Sequence, residues 1–287
     1  MSKEEKINVP TFLKWAGGKQ QLLNQFSKKF PNQINHYVEP FVGGGSVLFY
    51  VLKYKNPTRV EAYDGNEELI NTYIQVRDNP DKLIKLLKKL ECDHNRSKNP
   101  KSFFYRKREE FNTIKRDKTK KASLFIYLNK TCFNGLYRVN SLGEFNVPFN
   151  GEKRTRLFEE SELMEASQLL KNNVCLEKRD FRKVFLSKIK RLFYFDPPYW
   201  SEATNGFISY TNPVFGKDAQ EELAKGCVAL SEKGHSLILS NSNTEFVKKL
   251  YRHPSFTIHD DIEARRMINC NGDGRHVVSE LLITANV

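Results

Sequence analysis

Tyr37-Val38-Glu39-Pro40-Phe41-Val42-Gly43-Gly44-Gly45-Ser46 is an apolar strand end that runs straight into three glycines and the start of a helix. In an open α/β sheet, the crevice outside the carboxyl end of such a strand receives nucleotide-like ligands, because glycine lets the backbone approach a ligand closely. The dinucleotide fingerprint is incomplete, since Leu48 stands at the third glycine's place, and this disfavours a nicotinamide cofactor. The glycines alone fit an ordinary tight turn equally well. They gain weight from a second strand, Arg59 to Asp64, whose last carboxylate stands where an acidic side chain accepts hydrogen bonds from a ribose diol.

Outward from this β-α-β start (strand 36–41, helix 46–53, strand 59–64), Leu22, Leu23, Phe26 and Phe30 fall at helical spacing and predict a helix over 19–30. Downstream, 66–78, 81–90, 101–115 and 121–130 read as successive helices separated by Pro80, Pro100 and a Lys/Arg-rich turn. Residues 131–150 read as a loop or hairpin and 160–171 as a helix. Strand-helix alternation then resumes, with strands at 174–177, 192–195, 236–240, 256–259 and 280–284 and helices at 218–233 and 244–252. The pattern predicts an α/β fold with a parallel-type sheet, interrupted by an inserted, mainly helical domain.

The chain of 287 residues holds 47 Lys+Arg against 34 Asp+Glu, a formal net charge of +13. No apolar run approaches the ~20 residues of a membrane span, and Met-Ser-Lys-Glu-Glu-Lys does not read as a signal peptide, so a cytoplasmic protein without a membrane partner is expected. Five widely spaced cysteines without a C-x-x-C argue against a disulfide framework and a zinc finger; reduced, mostly buried thiols and no bound metal are expected. Residues 1–81 carry 10 basic and 9 acidic side chains, 82–156 carry 20 and 7, and 157–287 carry 17 and 18, so one quarter of the chain supplies the whole excess. A solvated helical face can be this basic. Here Phe103, Phe104, Tyr105, Phe111, Tyr127, Phe133, Asn134 and Tyr137 are interleaved, which favours a polyanion with stackable bases.

Two further motifs carry chemistry. Lys14-Trp15-Ala16-Gly17-Gly18-Lys19 lacks phosphate-loop spacing, with Gln20 where a magnesium-binding hydroxyl belongs. It reads either as a plain helix start or as a site for a ligand with an aromatic base and a carboxylate. Leu192-Phe193-Tyr194-Phe195 is a buried-type strand ending in Asp196-Pro197-Pro198-Tyr199. Two prolines without N–H groups and with fixed φ can hold the carbonyls of Asp196 and Pro197 toward a cleft as free acceptors. A carboxylate, a rigid carbonyl and an aromatic ring can grip a planar amine.

Together with Phe133-Asn134-Gly135-Leu136-Tyr137-Arg138-Val139-Asn140 and its continuation to Phe149, these motifs resemble the Dam-type DNA adenine-N6 methyltransferases over nearly the whole chain. The resemblance implies a Rossmann-like sheet that binds S-adenosylmethionine, formed by 1–66 and 160–287, with a DNA target-recognition domain inserted at 67–159. It implies cofactor contacts from Trp15, Ala16, Gly17, Gly18 and Lys19, the last near the cofactor carboxylate. Glu39, Pro40, Phe41 and Gly43 to Gly45 would form the loop beneath it, Asp64 would hold the ribose, Asp180 and Phe181 would meet its adenine, and Asp196 would border it. Asp196, Pro197, Pro198 and Tyr199 would hold the target adenine. Lys14, Asn134, Leu136, Tyr137, Arg138 and Pro148 would approach double-stranded DNA, with GATC the leading target. Arg179 where the family has Gly, and Trp200 after the D-P-P-Y motif, depart from the pattern.

The expected reaction is direct methyl transfer to an amine whose protons Asp196 and the Pro197 carbonyl accept, on a base flipped from the stack. Methylation of cytosine N4, of RNA or of a protein amide, and a DNA-binding module without activity, are the competing readings. A cognate restriction endonuclease and action as a monomer are further expectations, and the Arg/Asn/Gly-rich stretch 265–275 is expected near the DNA.

Overall fold

The computed structural model describes residues 7–171, 173–186, 189–200, 215–265 and 277–287. Strand β1 (His36–Glu39) pairs in parallel with β2 (Arg59–Asp64) on one side and β4 (Leu192–Phe195) on the other. Outside these lie β3 (Val174–Lys178) against β2 and β5 (Ser236–Ser242) against β4, both parallel. Antiparallel β7 (Val277–Ala285) joins β5, and β6 (Thr257–Arg265) joins β7, completing the order β3-β2-β1-β4-β5-β7-β6. The α/β sheet is thus Rossmann-like with an antiparallel edge. Its order reverses between β1 and β4, so a crevice opens at their carboxyl ends. Tyr37 lies opposite Leu192 and Val38 opposite Phe193, which delivers the residues after both strands to that crevice.

The central strands are buried on both faces, as covered parallel strands must be. Tyr37, Val60, Ala62 and Tyr194 point to one face, under α2 (Ser46–Tyr54), α3 (Glu67–Asp78) and α7 (Glu160–Leu170). Val38, Tyr63, Phe193 and Phe195 point to the other, under α8 (Lys217–Glu232) and α9 (Glu245–Leu250). Burying each of Val38, Val60, Phe193 and Phe195 contributes about 1.5–3 kcal/mol.

Between α3 and α7, three helices stack: α4 (Pro80–Arg96), α5 (Pro100–Thr113) and α6 (Lys118–Thr131). Proline in the first turn of α4 and α5 costs no hydrogen bond. Asn99 caps α5 through Ser102 N–H at 3.0 Å, and Asp117 caps α6 through Lys120 N–H at 2.9 Å. Helix α6 is buried almost all round, and its apolar residues join the core beneath α3. The helical block is therefore welded to the sheet. None of the helices among the described residues is long and apolar enough to cross a membrane.

Two expectations need correction. The helix expected over 19–30 is one α-helical turn, α1 (Leu23–Phe26), followed by a 3-10 turn at Ser27–Lys29. Bonds from Leu22 N–H to Lys19 O and from Gln25 N–H to Leu22 O tighten the segment into turns, which still bury Leu22, Leu23, Phe26 and Phe30. Cys132 and Cys227 are buried, but Cys175 is exposed and Cys92 half-buried. The stretch 265–275, Arg265 apart, lies outside the described residues, as does Cys270.

His94 of α4 is fully buried between the Tyr127 hydroxyl (2.9 Å) and the Glu152 carbonyl (3.3 Å). A carbonyl only accepts, so Nε2 carries the proton and Nδ1 accepts from Tyr127 in a neutral ring. Burial lowers its pKa from the ordinary 6.5, against the raising effect of the Glu152 carbonyl. The unfolded chain therefore binds this proton more readily; the stability is whole above 6.5 and is lost as pH falls below it. Thermal melting followed by circular dichroism should shift downward between neutral pH and pH ~5.5, and His94→Phe should flatten that shift.

Candidate active site

At the end of β1 the chain makes a tight loop. Gly43 (φ +47) and Gly45 (φ +74) adopt the left-handed region, and Gly45 N–H returns to the Val42 carbonyl at 2.8 Å. A Cβ on Gly43 would lie 2.9 Å from Cδ1 of Trp15, and one on Gly44 3.0 Å from Cβ of Trp15, so the indole rests directly on the loop. The loop is braced from below. The Tyr73 hydroxyl donates to the Gly43 carbonyl at 2.9 Å, and Asp64 accepts from Gly43 N–H (3.1 Å) and Asn66 N–H (2.9 Å). Burial raises the Asp64 pKa against these three-way backbone bonds, Gly65 included. Glu39, wholly buried and bonded by the Tyr37 hydroxyl at 2.6 Å, is raised well above the carboxylate range by burial, with Asp196 and Asp64 adding to the effect. Pro40 is buried after it.

Across the crevice, Asp196 leaves β4. Its Oδ1 accepts from Lys19 Nζ at 2.9 Å and from the Ser240 hydroxyl at 2.8 Å. Among the described residues both bonds fall on that one oxygen, so Oδ2 is open to a further donor. Lys19 is 2 % exposed and also donates to the Gly17 carbonyl at 2.6 Å; its Nζ lies 4.6 Å from the centre of the Tyr199 ring and 4.0 Å from Glu280. Ala16 and Gly18 complete that turn, with Gly18 N–H bonded to the Trp15 carbonyl. The Tyr199 hydroxyl donates to Glu280 at 2.7 Å, and burial raises its pKa well above the phenol range. Gln220 Nε2 holds the Pro198 carbonyl at 2.8 Å, while its own oxygen accepts from Asn241 at 3.0 Å. Pro197 is buried between Asp196 and Pro198, on a turn whose neighbours are fixed.

The block at 131–150 is a short hairpin, with bridges Cys132–Phe149 and Val139–Phe145. Asn134 (φ +54) and Pro148 are exposed, and Lys14 is exposed beside them; Leu136 and Arg138 are half-buried. Arg138 donates through Nε to Asn146 at 2.7 Å, and among the described residues its outer guanidinium nitrogens make no hydrogen bond. Tyr137 is half-buried. Its ring is stacked on Trp15 (6.3 Å) and packed on Phe125 and Phe145, and burial lifts its hydroxyl to about 12.

Phe181 packs against Phe41 at 5.4 Å and so reaches the crevice, whereas Asp180 is turned away to Arg182 at 2.8 Å. Arg179 covers the Tyr63 ring at 4.1 Å and pairs with Glu177 at 2.6 Å. The site also contains Ser240, Gln220, Asn241 and Glu280, which the motifs did not include. Ser240-Asn241-Ser242 at the end of an apolar strand, beside the reversal of strand order, was the available signal. No group of three or more metal-ligating side chains occurs among the described residues.

Residues 15–268 match the D12 class N6 adenine-specific DNA methyltransferases. The chain belongs to this family. A type II methyltransferase of Methanocaldococcus jannaschii, M.MjaIII, is 43% identical over 290 residues, covering 96% of this chain and 99% of that protein. The type II methyltransferase M1.LlaDCHI of Lactococcus lactis subsp. cremoris is 36% identical, covering 98% and 97%, and the DNA adenine methylase of Haemophilus influenzae is 35% identical, covering 98% and 95%. The amine methylated by this DNA methyltransferase is therefore adenine N6, which sets aside the cytosine, RNA, protein-amide and non-catalytic readings.

In the methyltransferase, the contact between Trp15 and the glycine loop makes a specific demand. Gly43→Ala adds a Cβ against the indole at a φ of +47 and should cost about 1–2 kcal/mol in stability. Initial rates of methyl transfer should fall at least tenfold in the same variant while filter binding of DNA is retained.

Proposed function

We propose that this methyltransferase uses S-adenosylmethionine to methylate the N6 amine of an adenine flipped out of double-stranded DNA, within GATC or a related GAT-containing site. The observation that carries the reading is Asp196, whose Oδ1 is anchored by Lys19 and Ser240 and whose Oδ2 is open at the crevice. The residues fit the cofactor's donor set. Two carboxyls, the buried Glu39 and the half-buried Asp64, have their pKa raised by desolvation, and a cation or a pair of hydroxyl donors relieves that cost. When bound, S-adenosylmethionine supplies an electrophilic methyl on a sulfonium. Trp15 and Gly43 to Gly45 would hold it, Asp64 would take the ribose hydroxyls, Phe41 and Phe181 would flank its adenine, and Lys19 would stand between the two ligands.

The adenine amine is a poor nucleophile because its lone pair is delocalised into the ring. Asp196 Oδ2 and the Pro197 carbonyl accept its two N–H protons, which localises the lone pair on nitrogen. Tyr199, tethered to Glu280, offers a ring face on which the flipped base stacks. As the nitrogen gains its fourth bond its protons become acidic, and Asp196 Oδ2 holds the one that leaves. Flipping costs a few kcal/mol. The basic insert, proposed as a target-recognition domain at 67–159 between catalytic segments 1–66 and 160–287, meets it with sequence-blind phosphate contacts. Arg138, free at its outer nitrogens, reads a guanine by bidentate contact. Action as a monomer, alongside a cognate restriction endonuclease, belongs to the same proposal.

Asp196→Ala should lower methyl transfer by roughly 10²–10³-fold or more while DNA affinity stays within a few-fold; full activity in this variant would overturn the assignment. Genomic DNA from cells expressing the protein, digested and mapped, should carry N6-methyladenine at GATC-type sites. Arg138→Ala should lose roughly 1–3 kcal/mol of discrimination at the guanine, whereas equal weakening at every sequence would assign Arg138 to phosphate.

A further inference from the structure

Helices α4, α5 and α6 each carry an asparagine near the carboxyl end, and each amide pairs with the backbone of a separate segment as a peptide group would. Asn95 of α4 accepts from Thr155 N–H (2.8 Å) and donates to its carbonyl (3.0 Å). Asn112 of α5 does the same to Phe145, at 2.9 and 3.2 Å. Asn129 of α6 differs in having two segments to hold. Its Oδ1 accepts from Lys14 N–H at 2.7 Å, and its Nδ2 donates to the carbonyls of Lys14 (2.7 Å) and Gly135 (2.9 Å).

Asn129 is 4 % exposed, so water does not compete for these bonds, and three of its amide's four hydrogen-bonding roles are used on backbone. The two segments it joins also touch. Gly135 lies so close to Lys14 that a Cβ on it would stand 2.7 Å from Cβ of Lys14, and its φ of +64 suits glycine. One residue beyond Lys14, Trp15 rests on the glycine loop; one to three residues beyond Gly135 come Leu136, Tyr137 and Arg138, with Tyr137 stacked back on Trp15.

We infer that Asn129 is a positioning residue, which fixes the register between the donor-side segment 14–19 and the base-reading segment 133–138. It touches neither ligand. The inference rests on the proposed roles of those two segments. By holding Lys14 and Gly135 on one planar amide, it makes the height of Trp15 over the donor and the reach of Arg138 into DNA parts of the same geometry. Asn112 holds the base-reading hairpin alone, and Asn95 holds neither segment, so the three amides form an internal comparison.

The test is steady-state kinetics of alanine variants, with the KM for S-adenosylmethionine and the KM for the mapped target duplex measured separately, alongside melting temperatures. Asn129→Ala should raise both KM values, each about tenfold, and loosen discrimination at the guanine read by Arg138. Asn112→Ala should raise the DNA value alone, and Asn95→Ala neither. Gly135→Ala strains the same contact with Asn129 intact and should reproduce the double rise, which keeps the test open if Asn129→Ala does not fold. A lowered melting temperature with both KM values unchanged in Asn129→Ala or Gly135→Ala would make the clamp purely structural and overturn the inference. Trp15→Ala and Arg138→Ala separate the two levels. If they raise the donor and DNA values respectively while Asn129→Ala and Gly135→Ala raise at most one, the inference fails alone. If they raise neither, the roles of the two segments fail and the inference with them.

Discussion

The ammonium of Lys19 is the point on which the site depends. A buried cation is costly unless it is paired and hydrogen-bonded, and this one is met by Asp196, the Gly17 carbonyl and the face of Tyr199. Lys19 is the buried partner and Asp196 the half-buried one, so removing the carboxylate would leave a buried cation without its compensating charge. The pair pulls the segment from Lys14 to Lys19 across the carboxyl ends of β1 and β4. Trp15 then has one place to go, the glycine loop, and Lys14 is brought to the end of α6. The Asp196 carboxylate is itself oriented by the same contact, so the glycine-loop side and the β4 side of the crevice share a single electrostatic hinge pin.

Much of the fold was legible because a covered parallel sheet writes itself plainly. Leu192 to Phe195 is apolar at every position, since both faces are buried, and Asp196 marks where the strand meets solvent. The 19–30 segment misled because apolar residues at helical spacing are equally well buried by consecutive turns, and only the inward pull on Lys19 decides between them. The packing of Tyr137 was hidden for another reason. An aromatic ring in a basic stretch looks the same whether it awaits a base or packs on Trp15, and the choice depends on a partner far away in sequence.

The asparagine clamps were not legible at all. An amide near a helix end is commonplace, and its meaning comes from the backbone that happens to pass it, 115 residues away in the case of Asn129 and Lys14. Asp64 shows the intermediate case. Its place at the end of β2 points to the crevice from sequence alone, but its grip on Gly43 N–H, which makes it a brace of the loop, required the folded chain.

The long reach of these contacts has a consequence for how the molecule comes into being. Lys14 answers to Asn129, Thr11 to Glu162 across 151 residues, and Lys19 to Asp196 and Glu280. Segment 11–19 is thus made before every one of these partners and must close loops of 115 and 151 residues to reach Asn129 and Glu162, at a cost in chain entropy that local contacts do not carry. The helical block, whose contacts are mostly local, can assemble during synthesis and wait as a template. A chain made only as far as α6 has Asn129 in place but not Glu162, Asp196 or Glu280, so the Thr11–Lys19 segment gains its last fixed contacts only when β4 and β7 have joined the sheet.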